Sequence, residues 1–92
     1  MILEWDDAKR KLTLEQRGLD FADIALVNWA EALTDEDTRT VYAEQRFVTM
    51  APINGRLYIF AWCWRESAMR IISFRKANDR ERKRYAEALY RT

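Results

Sequence analysis

No run narrows the fold of this chain as much as Met69 to Arg91, MRIISFRKANDRERKRYAEALYR. As far as Lys76 the polarity alternates with period two. Met69, Ile71, Ser73 and Arg75 are therefore expected on one face of a strand, and Arg70, Ile72, Phe74 and Lys76 on the other. Beyond it lie the signals of a helix start. Asn78 suits the N-cap, Glu81 stands where a capping-box acid reaches back to the cap's N–H, and Asp79 lies near the positive end of the helix dipole. The predicted helix carries Arg80, Arg82, Lys83 and Arg84 around an apolar stripe of Tyr85, Ala86, Ala88 and Leu89. A basic strand end feeding a basic helix offers a polyanion a place to bind.

The rest of the chain must supply a sheet for that strand and a cover for the sheet. Met1 to Trp5 reads as an edge strand or a segment under the first helix. Asp6 then caps a helix over Asp7 to Gln16, with Ala8, Leu12 and the stem of Glu15 facing inward and Gly18 ending it. Asp20 caps a second short helix over Phe21 to Val27, with Leu19 and Ile24 as a hydrophobic staple, so the two helices form a corner. Trp29 to Thr34 is apolar enough for a short strand with Trp29 buried, and Thr34 to Thr40 is a polar, mobile loop. From Glu44 the pattern turns to sheet: Arg46, Val48 and Met50 alternate with Phe47, Thr49 and Ala51. Asn54-Gly55 marks a hairpin, and Leu57 to Trp64 is bulky on both faces, as a central strand should be. Three consecutive strands with short connections make an antiparallel meander. The expectation is one α+β domain over residues 1–92, with two N-terminal helices, the meander and a C-terminal helix.

Bulk charge is uninformative, because 16 Lys and Arg against 15 Asp and Glu give only +1. Its distribution matters more: acids concentrate between Glu31 and Asp37, cations between Arg75 and Arg84. Cys63 is the sole cysteine and histidine is absent, which excludes an internal disulfide and a Cys/His zinc site. No cofactor is expected. No apolar run approaches the roughly 18 residues of a membrane span, and no signal-peptide layout opens the chain, so a cytoplasmic protein with no membrane partner is expected.

Arg70-Ile-Ile-Ser-Phe-Arg-Lys-Ala77, then Asn78, then Glu81-Arg-Lys-Arg-Tyr85, resembles the C-terminal signature of the BrnT family, the ribonuclease toxins of BrnT/BrnA toxin–antitoxin modules. The opening agrees: Leu3-Glu-Trp-Asp6 with Lys9, then Arg17-Gly-Leu-Asp-Phe21, is similar to that family's first strand, helix and Lys-His-Gly turn. Glu44-Gln-Arg-Phe47 falls between them in the right order. The resemblance implies a RelE-like fold and a toxin that cleaves RNA without a metal. It also implies a BrnA-like ribbon-helix-helix antitoxin as partner, with DNA contacted only through that antitoxin. One departure stands out. Where BrnT sequences usually have histidine before the glycine of the first turn, this chain has Arg17, which supplies charge but cannot exchange a proton near neutral pH.

Metal-independent RNA cleavage needs an activated 2′-hydroxyl, positive charge on the phosphate and a proton for the departing oxygen. Arginine suits the phosphate because its planar fork pairs bidentately and stays charged. Arg46, Arg65 and Arg75 are the catalytic candidates on strands, with Arg17, Arg70, Lys76 and Arg80 as RNA contacts; pairing with Glu44, Glu66 or Asp79 is the competing reading. Glu44 is the candidate general base, since it and Arg46 fall on one strand face, although an ordinary salt bridge has the same spacing. Tyr85 is a candidate because several RelE-type toxins use a C-terminal tyrosine; by spacing with Leu89 it is a core residue. Trp64 shares a strand face with Trp62 and is the candidate for stacking on bases, with core packing as the alternative for both. A homologue that has lost turnover but still binds its antitoxin is the second functional expectation, favoured by Arg17 in place of histidine.

Overall fold

In the computed structural model, which describes residues 2–90, Asn54 and Gly55 take φ values of 50° and 80°. They close a two-residue hairpin between β3 (Arg46–Ile53) and β4 (Arg56–Arg65). A primed turn needs both residues left-handed, and Asn-Gly reaches that conformation at the least steric cost. β5 (Ala68–Lys76) returns antiparallel to β4 around Glu66 and Ser67. β3, β4 and β5 are thus the expected meander, with β4 at its centre.

The sheet is mixed, not wholly antiparallel. Among the described residues its order is β1-β5-β4-β3-β2, with β1 (Leu3–Trp5) parallel to β5 and β2 (Leu33–Glu36) antiparallel to β3. A parallel pair is joined through a crossover and has no local turn to announce it. β2 also corrects the reading of its region. Trp29–Glu31 is a 3₁₀ turn, its tryptophan half-buried, and the strand runs through Glu36 into what the polarity marked as loop.

One face of the sheet carries the main core: Ala51, Ile53, Phe60, Trp62, Met69, Ile71 and Phe74, with Leu19, Phe21, Ile24 and Val27 laid over them. The covering segment Phe21–Leu26 is a 3₁₀ helix, not an α-helix. Three residues per turn put Phe21, Ile24 and Val27 in line, and all three are buried. Thr49, fully buried on this face, accepts from Trp62 Nε1 at 2.9 Å and shares a 2.8 Å hydrogen bond with Thr34, so no hydroxyl is stranded.

α1 (Asp7–Arg17) begins at the Asp6 cap and ends at Gly18, φ 67°, as its sequence requires. Its expected inward face is wrong. Ala8, Leu12 and Glu15 are exposed, and the helix rests on half-buried Arg10 and Thr13. Ion pairing outweighs apolar patterning here: Arg10 forks onto Asp20 at 2.8 and 2.9 Å and lies over the Trp5 ring.

β5 departs from strict alternation. Ser73 pairs with Ala61 and Ile71 with Trp62, which leaves Ile72 as a bulge. An extra residue on one strand shifts the phase of everything beyond it. Met69, Ile71 and Phe74 therefore share the core face, while Arg70, Ser73 and Arg75 share the other, which corrects the faces read from the sequence.

α2 (Asp79–Leu89) starts with the full Asn78/Glu81 capping box and closes one end of that second face. Its half-buried side is Glu81, Tyr85 and Leu89, with Ala86 and Ala88 exposed, so the sequence stripe is narrower than expected. Tyr85 packs on a small cluster of Leu57, Ile59 and Ala77. No helix among the described residues is long and apolar enough to cross a membrane. Met1 of the expected first strand and Arg91 at the end of the C-terminal stretch lie outside the described residues.

Candidate functional site

Side chains on the face opposite the main core fall into cross-strand rows. One row is Glu4, Arg70, Cys63 and Arg46; the next is Ser73, Ala61, Val48 and Asp35; the third is Arg75, Ile59, Met50 and Leu33. Rows are about 6.6 Å apart, two residues of strand rise. The second and third rows floor an open groove of about 540 Å³. α2 contributes Glu81 and Arg84 to its wall, the segment after β2 contributes Asp37 to Arg39, and the end of α1 contributes Arg17.

Two arginine forks meet here, each already holding a carboxylate. Arg75 donates through both Nη atoms to Glu81 at 2.8 Å. The Asn78 backbone N–H adds a third hydrogen bond to Glu81 at 2.9 Å. Arg75 above all holds the Glu81 carboxyl down at about 2. On the other wall Arg39 donates through Nε and Nη2 to Asp37 at 2.9 Å, joined by the Tyr42 hydroxyl at 3.2 Å. Asp37 is 7% exposed, and the Arg39 guanidinium brings its carboxyl to about 2. Glu81 raises the Arg75 pKa while the charge of Arg39, which lines the same groove, opposes it.

These pairs fix an acid limb of stability. The folded values of about 2 lie below the ordinary 3.8 of Asp37 and 4.5 of Glu81. The unfolded chain therefore binds more protons in that window. The stabilisation is complete above about pH 5, declines as pH falls, and is gone below about pH 2. Urea midpoints followed from neutrality into acid are expected to drop, and to drop less steeply for Asp37→Asn, which starts lower. Parallel curves would detach Asp37 from the effect.

Of the residues nominated from the sequence, Arg17 and Arg75 line the groove. Arg17 also donates to the Phe74 carbonyl at 2.9 Å. Glu44 and Arg46 form a pair at 3.0 Å, and the Arg46 guanidinium lies 4.0 Å from the centre of the Tyr42 ring. Arg46, with some help from Arg65, keeps the Glu44 carboxyl below its ordinary value. Arg46 belongs to the row bordering the groove, and Arg70, in the same row, is ion-paired with Glu4. Lys76 and Arg80 are exposed and do not line the groove. Trp64, 53% exposed, stands edge-on to buried Trp62 on the core-face side, away from it. The Tyr85 hydroxyl donates to the Glu31 carbonyl, and burial pushes its pKa up.

Arg39 and Asp37 are not among the residues nominated from the sequence, and Arg84 enters there only as one cation of the basic helix. Arg39 sits in a polar run with no periodicity and reaches the groove only because β2 carries it across β3. Glu81 was legible as a cap, but not as the partner of Arg75, because that pairing depends on the Ile72 bulge. Among the described residues no group of three or more His, Cys, Asp or Glu side chains is placed to hold a metal ion.

The family model described as ribonuclease toxin, BrnT, of type II toxin-antitoxin system matches residues 5–81. That span contains every residue of the groove except Arg84. No curated protein matches the chain.

Proposed function

Because the chain belongs to the BrnT family of ribonuclease toxins of type II toxin–antitoxin systems, we propose that it is a metal-independent endoribonuclease whose RNA lies in the groove over β3, β4 and β5. Cleavage of that RNA inhibits translation and growth. The observation that carries this reading is the convergence of Arg75 and Arg39 on one hollow, with Arg17 and Arg84 on its walls. Guanidinium forks there meet the negative charge that builds on a phosphate as a 2′-oxygen attacks it. Glu44, ion-paired at 3.0 Å with Arg46 of the row bordering the groove, in this scheme contacts a flanking nucleotide, too far from the Arg75 fork to take the proton of the attacking 2′-hydroxyl. The Arg46 row lies about 13 Å from the Arg75 row, two row spacings along the strands, so one RNA strand bridges both. Without histidine, proton transfer falls to carboxylates and water, and most of the acceleration comes from alignment and charge. Tyr85, its hydroxyl committed to Glu31, serves this site by holding α2 against the sheet.

Family membership implies a cognate antitoxin. The reading makes it a BrnA-like ribbon-helix-helix protein that covers the groove and carries the DNA contacts of the complex, in the cytoplasm. The β3–β5 meander with helices at either end supports placing the fold with the RelE-type microbial ribonucleases.

A second reading is favoured by the absence of histidine and by the carboxylates already held by Arg39, Arg46 and Arg75. On it, the chain keeps the antitoxin-binding surface but has lost turnover. Expression of the chain alone in a bacterium separates the two. Growth arrest with fragmented RNA is expected of the nuclease. Unimpaired growth with intact RNA at high expression, together with tight binding of the neighbouring gene's product, would establish the binding module instead.

A further inference from the structure

Three N–H groups converge on the Glu81 carboxylate: both Nη atoms of Arg75 at 2.8 Å and the Asn78 backbone N–H at 2.9 Å. A planar guanidinium fork beside the first turn of an 11-residue helix is a donor set suited to an oxygen-bearing anion. The anion it holds is the protein's own. Glu81 lies deep, its side chain 17% exposed, while Arg75 is 44% exposed and faces the groove. The charge of Arg84 also acts on Glu81, and that of Arg39 on Arg75.

We propose that Glu81 occupies the phosphate seat of the groove, so that RNA enters by exchanging a backbone phosphodiester for this carboxylate on the Arg75 fork. The proposal rests on the RNA reading of the groove. Its consequence is selectivity. A lone phosphate group must displace Glu81 for one set of contacts, whereas an RNA strand recovers the loss through Arg39, Arg84 and Arg17 as well. The Asp37–Arg39 pair opposite is a different device: its partners are two residues apart in one loop, and it lacks a helix start. Exchange also frees Glu81 from the contact that holds its carboxyl near 2, so its titration returns toward the ordinary 4.5 when phosphate is bound.

Glu81→Gln tests this without removing the cap, because a glutamine amide oxygen still accepts the Asn78 N–H. Inorganic phosphate, followed by NMR at the Asn78 amide and the Arg75 side chain, is expected to bind the variant on the order of tenfold more tightly than the unaltered chain. The gain should vanish in Glu81→Gln/Arg75→Gln. Equal affinities, or a gain that survives loss of Arg75, overturn the proposal. In the unaltered chain, saturating phosphate should move the Glu81 carboxyl titration upward, and an unmoved titration overturns it independently of any variant. A 2′-O-methyl oligonucleotide separates the two readings. Tighter phosphate binding with no oligonucleotide binding keeps the seat and removes RNA. Oligonucleotide binding that Glu81→Gln leaves unchanged, with phosphate affinity also unchanged, keeps RNA and removes the seat.

Discussion

Phe60→Ala is expected to destabilise the fold by about 3–5 kcal/mol, the cost of emptying a phenyl-sized volume in a core that relaxes only in part. Phe60 is fully buried on the central strand. Its ring meets Trp29 edge-on at 5.9 Å and Phe74 edge-on at 6.4 Å, so it joins the 3₁₀ turn after the corner to β5. β4 is paired on both sides, with β3 and β5, so its own backbone is not free to move into the gap. Against a total of about 5–15 kcal/mol for a domain of ordinary stability, the loss removes a large fraction of the folded population's margin. Urea denaturation of the variant beside the unaltered chain measures it. A difference below about 1 kcal/mol would mean that the site collapses around the cavity, contrary to the packing described.

Arg75→Gln is expected to lower RNA cleavage by about 10²–10³-fold, the usual effect of deleting one preorganised donor from a charge-stabilising site. Stability at neutral pH should also fall, because Glu81 loses the partner that holds its carboxyl down, but solvent access to Arg75 keeps the loss to about 1 kcal/mol, far too small to unfold the chain or to account for the lost cleavage. The two readouts together locate the effect in the groove. Arg56→Gln, an exposed cation at the start of β4 and outside the groove, is the matched control and should cleave as the unaltered chain does. Cleavage of a short RNA by purified protein at fixed ionic strength gives the ratio. Equal loss in both variants would point to general electrostatic attraction, with no particular role for Arg75.

Local signals carried much of the fold. Asp6, Asn78 and Asn54-Gly55 each specify a backbone conformation through short-range chemistry, and each does so in the folded chain. β4 was legible as the central strand from its bulky faces, because burial on both sides leaves no polar alternation to preserve. Along α1 the same logic failed. Leu12 points outward because Arg10, through Asp20 and Trp5, sets how the helix lies against its neighbours, and no periodicity counts an ion pair.

The sequence by itself determined which residues begin and end most elements, which strands turn back on each other, and the family to which the chain belongs. Tertiary structure alone decided what those elements face. One unpaired residue, Ile72, separates Arg75 from Met69 and Ile71, with which alternation had grouped it, and turns it to the groove. The parallel pairing of β1 with β5 and the placement of Arg39 beside the groove come from segments far apart in the chain. The reason is one of range. Caps and turns are settled within a few residues, whereas the facing of a charged side chain depends on strand register and on partners that meet only after the sheet has closed.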